Sequence, residues 1–280
     1  MTRFASYDGT EIGYRVLGDG PPLICLPGGP GRAGEYLGDL GGLARARRLI
    51  IPDSRGVGLS ADPVDPATFR ADRIVEDVEA LRVHLGLERM DLLAHSAGAI
   101  VATLYAADYP DRLSKLILVT PGLAALDVDD TENDVSAALA LRKDEPWYPS
   151  ALAAMEKADE GDRTMETYRA TRPFYYGRWD ETTRGHALVG VSQRNQAARD
   201  GFFADVTFDP PAIRASLAKL TCPVLLYGGD MDTWVTPVMV REAATVFRDA
   251  TVTIQPETGH FPWVEDPEFF AAAVSSFLAP

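Results

Sequence analysis

Six short strand-like runs, most of them apolar, punctuate this chain of 280 residues, at 23–26, 48–51, 90–93, 116–119, 224–227 and 251–254. Consecutive apolar residues, rather than alternating ones, mark strands that are buried on both faces, the condition of a parallel sheet covered by helices. Helical patterns lie between the runs. Residues 69–86 place Ile74, Val78, Leu81 and Leu85 on one face, and residues 264–278 read as a closing helix. Residues 4–7 and 12–17 read as an opening hairpin around Asp8-Gly9-Thr10. The expected fold class is therefore α/β, with a mostly parallel central sheet flanked by helices.

The rhythm stops between about Pro121 and Leu220. Short helical stretches at 136–142, 150–157, 166–171 and 183–199 take over, interrupted by Pro146, Pro149, Pro173, Pro210 and Pro211. This divides the chain into a core, residues 1–120 and 221–280, and a helical cap, residues 121–220. The cap is inserted after the sixth strand and is expected over the C-terminal edge of the sheet.

Composition narrows the function. A net charge of -14, from 41 acidic residues against 27 Lys and Arg, excludes nucleic acid and anionic membrane as partners. No apolar run approaches the roughly 20 residues of a membrane helix. Residues 1–8 lack the apolar stretch of a signal peptide. Cys25 and Cys222 fall in apolar runs and read as small core residues, not as a disulfide or metal pair. A reducing cytoplasm is the expected location, and a small molecule or short peptide the expected partner. One acidic concentration, Asp127-Val128-Asp129-Asp130-Thr131-Glu132-Asn133-Asp134, reads as a solvated loop or, alternatively, as an electronegative cap that attracts amines.

The chemistry centres on Leu92-Leu93-Ala94-His95-Ser96-Ala97-Gly98. A strand precedes Ser96 and a helix follows it. A serine on such a turn has its hydroxyl pushed into the open, beside backbone N–H groups able to hold an oxyanion. Ala94 and Gly98 supply the small residues this turn needs. Serine is a poor nucleophile until a base takes its proton and a carboxylate fixes that base. Of four histidines, His260 lies in the loop between the last strand and the last helix, on the same sheet edge as Ser96. His186 falls in the cap, His95 points away from the serine into neighbouring structure, and His84 ends an amphipathic helix. For the acid, the loop after 224–227 offers Asp232, with Asp230 as the alternative. Two backbone N–H groups complete the set: that of Ala97, and that of Gly29 in Leu26-Pro27-Gly28-Gly29-Pro30-Gly31. This chemistry calls for no metal or organic cofactor.

The elbow, Pro27-Gly28-Gly29-Pro30-Gly31, Asp53-Ser54-Arg55-Gly56-Val57-Gly58-Leu59-Ser60, and Gly259-His260 with Trp263 and Glu265 together resemble the α/β-hydrolase superfamily, specifically proline iminopeptidase-like serine hydrolases. The resemblance covers the core. It implies an α/β-hydrolase fold, with Ser96, Asp232 and His260 cleaving an acyl bond through an acyl-enzyme. Two departures stand out: Pro27 replaces the family's histidine, and Ala94-His95-Ser96-Ala97-Gly98 replaces G-G-S-W-G. Such enzymes hold a free amine on cap acids, for which Glu166, Asp180 and Glu181 are conceivable counterparts. Phe174-Tyr175-Tyr176 with Trp179 either lines an apolar pocket or packs the cap onto the core. The alternatives are a small-ester, lactone or thioester hydrolase (including cyclisation or acyl transfer) and a non-catalytic binding protein.

Overall fold

The computed structural model describes residues 2–129, 132–162, 164–190 and 192–279. Eight strands form one sheet: β1 Thr2–Ala5, β2 Glu11–Leu17, β3 Pro22–Leu26, β4 Arg48–Pro52, β5 Met90–His95, β6 Leu113–Val119, β7 Val224–Gly229 and β8 Ala250–Gln255. Their order across the sheet is β1-β2-β4-β3-β5-β6-β7-β8. The pairs β1/β2 and β2/β4 are antiparallel and all others parallel. This is the expected mostly parallel architecture.

The central strands alternate their side chains between two apolar layers, as the pleat requires. Leu92, Leu116, Leu118 and Leu226 pack with α1 (Ala71–His84), α2 (Ala97–Asp108) and α9 (Pro237–Ala244) on one face. Leu93, Ile117, Val119 and Leu225 pack on the other with α11 (Pro267–Leu278). Both cysteines are buried free thiols.

Between β6 and β7 lie α3 Glu132–Ala140, α4 Tyr148–Asp159, α5 Met165–Ala170, α6 Glu181–Val189, α7 Gln196–Phe202 and α8 Pro210–Leu217. Three boundaries differ from the sequence pattern. The stretch 183–199 is two helices: Gly190 ends α6, and the Asn195 side chain accepts from the Ala197 and Ala198 N–H groups to start α7. Pro210 and Pro211 open α8 behind the Asp209 N-cap, where a missing N–H costs nothing. The closing helix is broken into α10 Pro262–Glu265 and α11, because Pro267 forces Asp266 out of helical geometry. Asp130 and Thr131 of the acidic run lie outside the described residues.

The Asp53-to-Ser60 segment is held by buried polar groups. Asp53 accepts from Gly34 N–H at 2.6 Å, Leu59 N–H at 2.8 Å and the Arg15 guanidinium at 2.7 Å. Arg55, 0% exposed, donates through Nε and Nη2 to the two Asp77 oxygens at 2.7 and 2.6 Å, and pairs with Asp8 as well. Removing one partner of such a pair strands a buried charge. Asp77→Ala is expected to lower unfolding free energy by about 3–5 kcal/mol, measured by urea denaturation.

Candidate active site

Ser96 sits between β5 and α2 at φ 51°, ψ -124°, a conformation that costs a non-glycine residue about 1–3 kcal/mol and must be held by its surroundings. Three hydrogen bonds hold it. Its N–H donates to the Val119 carbonyl at 3.1 Å, and its carbonyl accepts from Ala99 at 2.9 Å and Gly122 at 2.8 Å. The need for small neighbours is visible at Gly98: a Cβ there would meet the Pro27 carbonyl oxygen at 2.5 Å. Ala94, in the place where the family pattern has glycine, is accommodated with 0% exposure.

The structure brings three of the expected residues into a line. His260 Nε2 lies 2.9 Å from Ser96 Oγ, and His260 Nδ1 lies 2.7 Å from Asp232 Oδ2. Asp232 is fully buried, and its other oxygen accepts from the Trp234 and Val235 N–H groups at 2.9 and 3.2 Å. Asp230, the competing carboxylate, instead caps the neighbouring loop by accepting from Thr258 N–H at 3.3 Å.

His95 is more than a neighbour pointing away. The Gly28 N–H donates to Tyr36 Oη at 2.7 Å, Tyr36 Oη lies 2.6 Å from His95 Nδ1, and His95 Nε2 lies 3.0 Å from the His260 carbonyl. A carbonyl can only accept, so Nε2 carries the proton, Nδ1 accepts from the tyrosine, and the ring is neutral. Burial agrees, driving the His95 pKa well below the ordinary value. Thr120, at φ 39°, adds a second donor to the His260 carbonyl at 3.1 Å. Neither Tyr36 nor Thr120 was singled out by sequence. The signal available for Thr120 was its place directly after a buried strand, where backbone geometry is irregular.

With Gly28 engaged, Gly29 (φ 134°) and Ala97 are left with N–H groups that donate to no protein acceptor among the described residues. Both line one cavity with Ser96 and His260, of about 610 Å³.

Residues 21–267 match the α/β hydrolase fold family. The chain belongs to that family. It is 25% identical to the proline iminopeptidase of Heyndrickxia coagulans over 291 aligned residues, covering 98% of this chain and 97% of the relative. A shorter stretch of 117 residues, 39% of this chain and 40% of the relative, is 41% identical to the proline iminopeptidase of Lactobacillus helveticus. Among solved structures, an esterase from Exiguobacterium antarcticum superposes with a TM-score of 0.75 at 19% identity, covering 99% of this chain and 98% of that one. Proline iminopeptidase from Mycobacterium smegmatis superposes with a TM-score of 0.74 at 23% identity, covering 99% of this chain and 97% of that one. The structural likeness establishes the fold. Among the described residues, no helix of this hydrolase is long and apolar enough to cross a membrane.

The acids conceived as amine ligands stand elsewhere. Glu166 and Glu181 are exposed in the first turns of α5 and α6, and Asp180 caps α6 in a reciprocal pair with Thr183. None lines the cavity, nor do Asp127, Asp129 or Asp134 of the acidic run. The aromatic group divides. Tyr175 lines the cavity, stacked on Trp234 at 3.8 Å between centroids, whereas Phe174 and Tyr176 are buried in the core and Trp179 packs half-buried against it. His186 also packs there, with Nδ1 2.8 Å from Tyr176 Oη, and His84 lies 3.1 Å from Tyr14 Oη.

Two loops pin the site from the side between β6 and β7. The Ala33 N–H donates to the Gln193 carbonyl and the Asn195 N–H to the Gly31 carbonyl, both at 2.9 Å, making a short antiparallel bridge beside Gly29. On the other side Glu265 accepts from Gly177, Arg178 and Gly259 N–H groups at 2.6, 3.2 and 2.7 Å, and the His260 N–H donates to the Tyr175 carbonyl at 2.8 Å. Burial pushes the Glu265 carboxyl from 4.5 up to about 7, against the opposing influence of those N–H groups. Below pH 4.5 the folded and unfolded chains both hold this proton; between 4.5 and 7 the unfolded chain releases it first, so stability falls as pH rises. Glu265→Gln is expected to remove that decline, which amounts to about 3 kcal/mol in full, in a comparison of unfolding free energies across this pH range.

Proposed function

We propose that this protein hydrolyses an acyl bond through a covalent acyl-enzyme formed on Ser96. The observation that carries the reading is the chain of contacts from Ser96 Oγ through His260 to Asp232, at 2.9 and 2.7 Å, with the acid fully buried. His260 Nε2 takes the Ser96 proton as Oγ adds to the substrate carbonyl carbon, then passes it to the leaving group. Asp232 keeps the proton of His260 on Nδ1 and stabilises the imidazolium. The Gly29 and Ala97 N–H groups receive the negative charge on the tetrahedral oxygen. Water, deprotonated by the same histidine, then releases the acid and restores the serine.

Proline iminopeptidase activity is one form of this chemistry and is supported by the full-length likeness to relatives of that name. A second form, hydrolysis of an ester or lactone, is favoured by the cavity wall. It lacks Glu166, Asp180 and Glu181, the acids conceived for an amine, and its elbow has Ala97 in place of tryptophan. The two buried free thiols support a reducing cytoplasm as its location.

Ser96→Ala is expected to lower kcat on a short-chain aryl ester by about 10⁴- to 10⁶-fold and Asp232→Asn by about 10⁴-fold. A fluorophosphonate probe should label the wild type once and Ser96→Ala not at all. Equal rates in wild type and Ser96→Ala on both an aryl ester and a prolyl arylamide would remove the proposal.

A further inference from the structure

A chain with 41 acidic residues and 27 Lys and Arg concentrates cations in one place. Arg32, Arg172, Arg194 and Arg199 all line the cavity that holds Ser96 and His260, and among the described residues Asp200 is the one carboxylate side chain on that wall besides them. Its Oδ1 accepts from Gln196 at 2.6 Å. Among the described residues, none of the four arginines forms an ion pair.

Aromatic rings and neutral acceptors hold three of the guanidinium groups instead: Arg32 Nε donates to Gln193 Oε1 at 3.1 Å and Arg172 Nε to the Tyr168 carbonyl at 3.0 Å. The Arg172 guanidinium lies 3.9 Å from the Tyr168 ring centre and 3.7 Å from that of Tyr175. Arg32 lies 4.0 Å above Tyr36, and Arg194 lies 4.7 Å from Tyr168. A ring face positions a cation without neutralising it or filling its N–H donors. Arg32 is 5% exposed and its Nη2 is buried with no hydrogen-bond partner among the described residues; the same is true of Arg194 Nε. Buried donors of a charged group are ordinarily satisfied, and leaving them open is costly. Those two atoms are enclosed by protein; an acceptor from outside the chain would meet the parts of the four side chains that line the cavity.

We infer that the natural substrate carries an anionic group, a carboxylate or a phosphoryl, which the arginines of this cavity bind while Ser96 attacks the acyl carbon. The inference rests on the serine hydrolase reading above. Water adds across the acyl–oxygen bond to give an acid and an alcohol, and the anionic group itself is unchanged. A protonated amine, by contrast, would meet like charge at this wall. Planar bidentate donors suit carboxylate and phosphoryl oxygens, which distinguishes this wall from one of lysines.

The test compares mono-(4-nitrophenyl) glutarate with neutral 4-nitrophenyl pentanoate. Wild type is expected to favour the glutarate about tenfold or more in kcat/KM, the scale of one charge-assisted hydrogen bond. Arg172→Gln/Arg194→Gln should bring that ratio to within about twofold of one, and Arg172→Lys should keep more of it than Arg172→Gln. A ratio near one in wild type, or one unchanged in the double variant, overturns the inference. Independent of turnover, Ser96→Ala is titrated calorimetrically with glutarate and with inorganic phosphate. Tighter glutarate binding assigns a carboxylate, tighter phosphate binding a phosphoryl, and binding of neither overturns the inference. Failure of the hydrolase reading has its own signature, loss of fluorophosphonate labelling and of turnover on every ester, whereas the titration still decides whether the cavity takes an anion.

Discussion

The site depends on a buried relay with one direction. The Gly28 N–H donates to Tyr36, Tyr36 to His95, and His95 to the His260 carbonyl. These bonds join the loop after β3, the strand end that carries Ser96, and the loop that carries the base. The relay fixes the peptide at Gly28 and leaves the next N–H, that of Gly29, open. It also works only while His95 is neutral, because a protonated Nδ1 could no longer accept the Tyr36 proton and that buried hydroxyl would lose its acceptor. Burial of the ring keeps it so.

Strain at Ser96 is sustained by that frame. A serine at φ 51° would relax if its turn were free, but its own N–H is committed to Val119 of β6 and its carbonyl to the N–H groups of Gly122 and Ala99. Thr120 and Glu257 share the same left-handed backbone, one after β6 and the other in the loop before His260. These three irregular residues thus gather at one edge of the sheet, where the regular strands end and side chains are free to converge.

Local patterns were enough to find most of this. Buried strands announce themselves as apolar runs, and Ser96, Asp232 and His260 stand at the ends of such runs, so position and residue type together selected them. Helix limits were less legible wherever a single side chain decides: Asn195 starts a helix inside what reads as one, and Pro267 divides another. His95 looked inert because its partners, Tyr36 and the His260 carbonyl, are 59 and 165 residues away along the chain. The acids considered for an amine were chosen by charge and rough location. Asp180 is spoken for by its own helix, and no local pattern reveals that arginines from four separate places meet at one wall.

The bridge between residues 31–33 and 193–195 has a consequence for how such a protein could change. Arg32 and Arg194, both on the cavity wall, are the two residues of that bridge, and Gly29 lies three positions before Arg32. The backbone that would select the substrate and the backbone that would hold the oxyanion are thus one stretch of ladder. Exchanging the helical insertion for another, as a route to a new substrate, would pull on the donor geometry as well. Replacing side chains on the insertion as it stands would leave that ladder undisturbed.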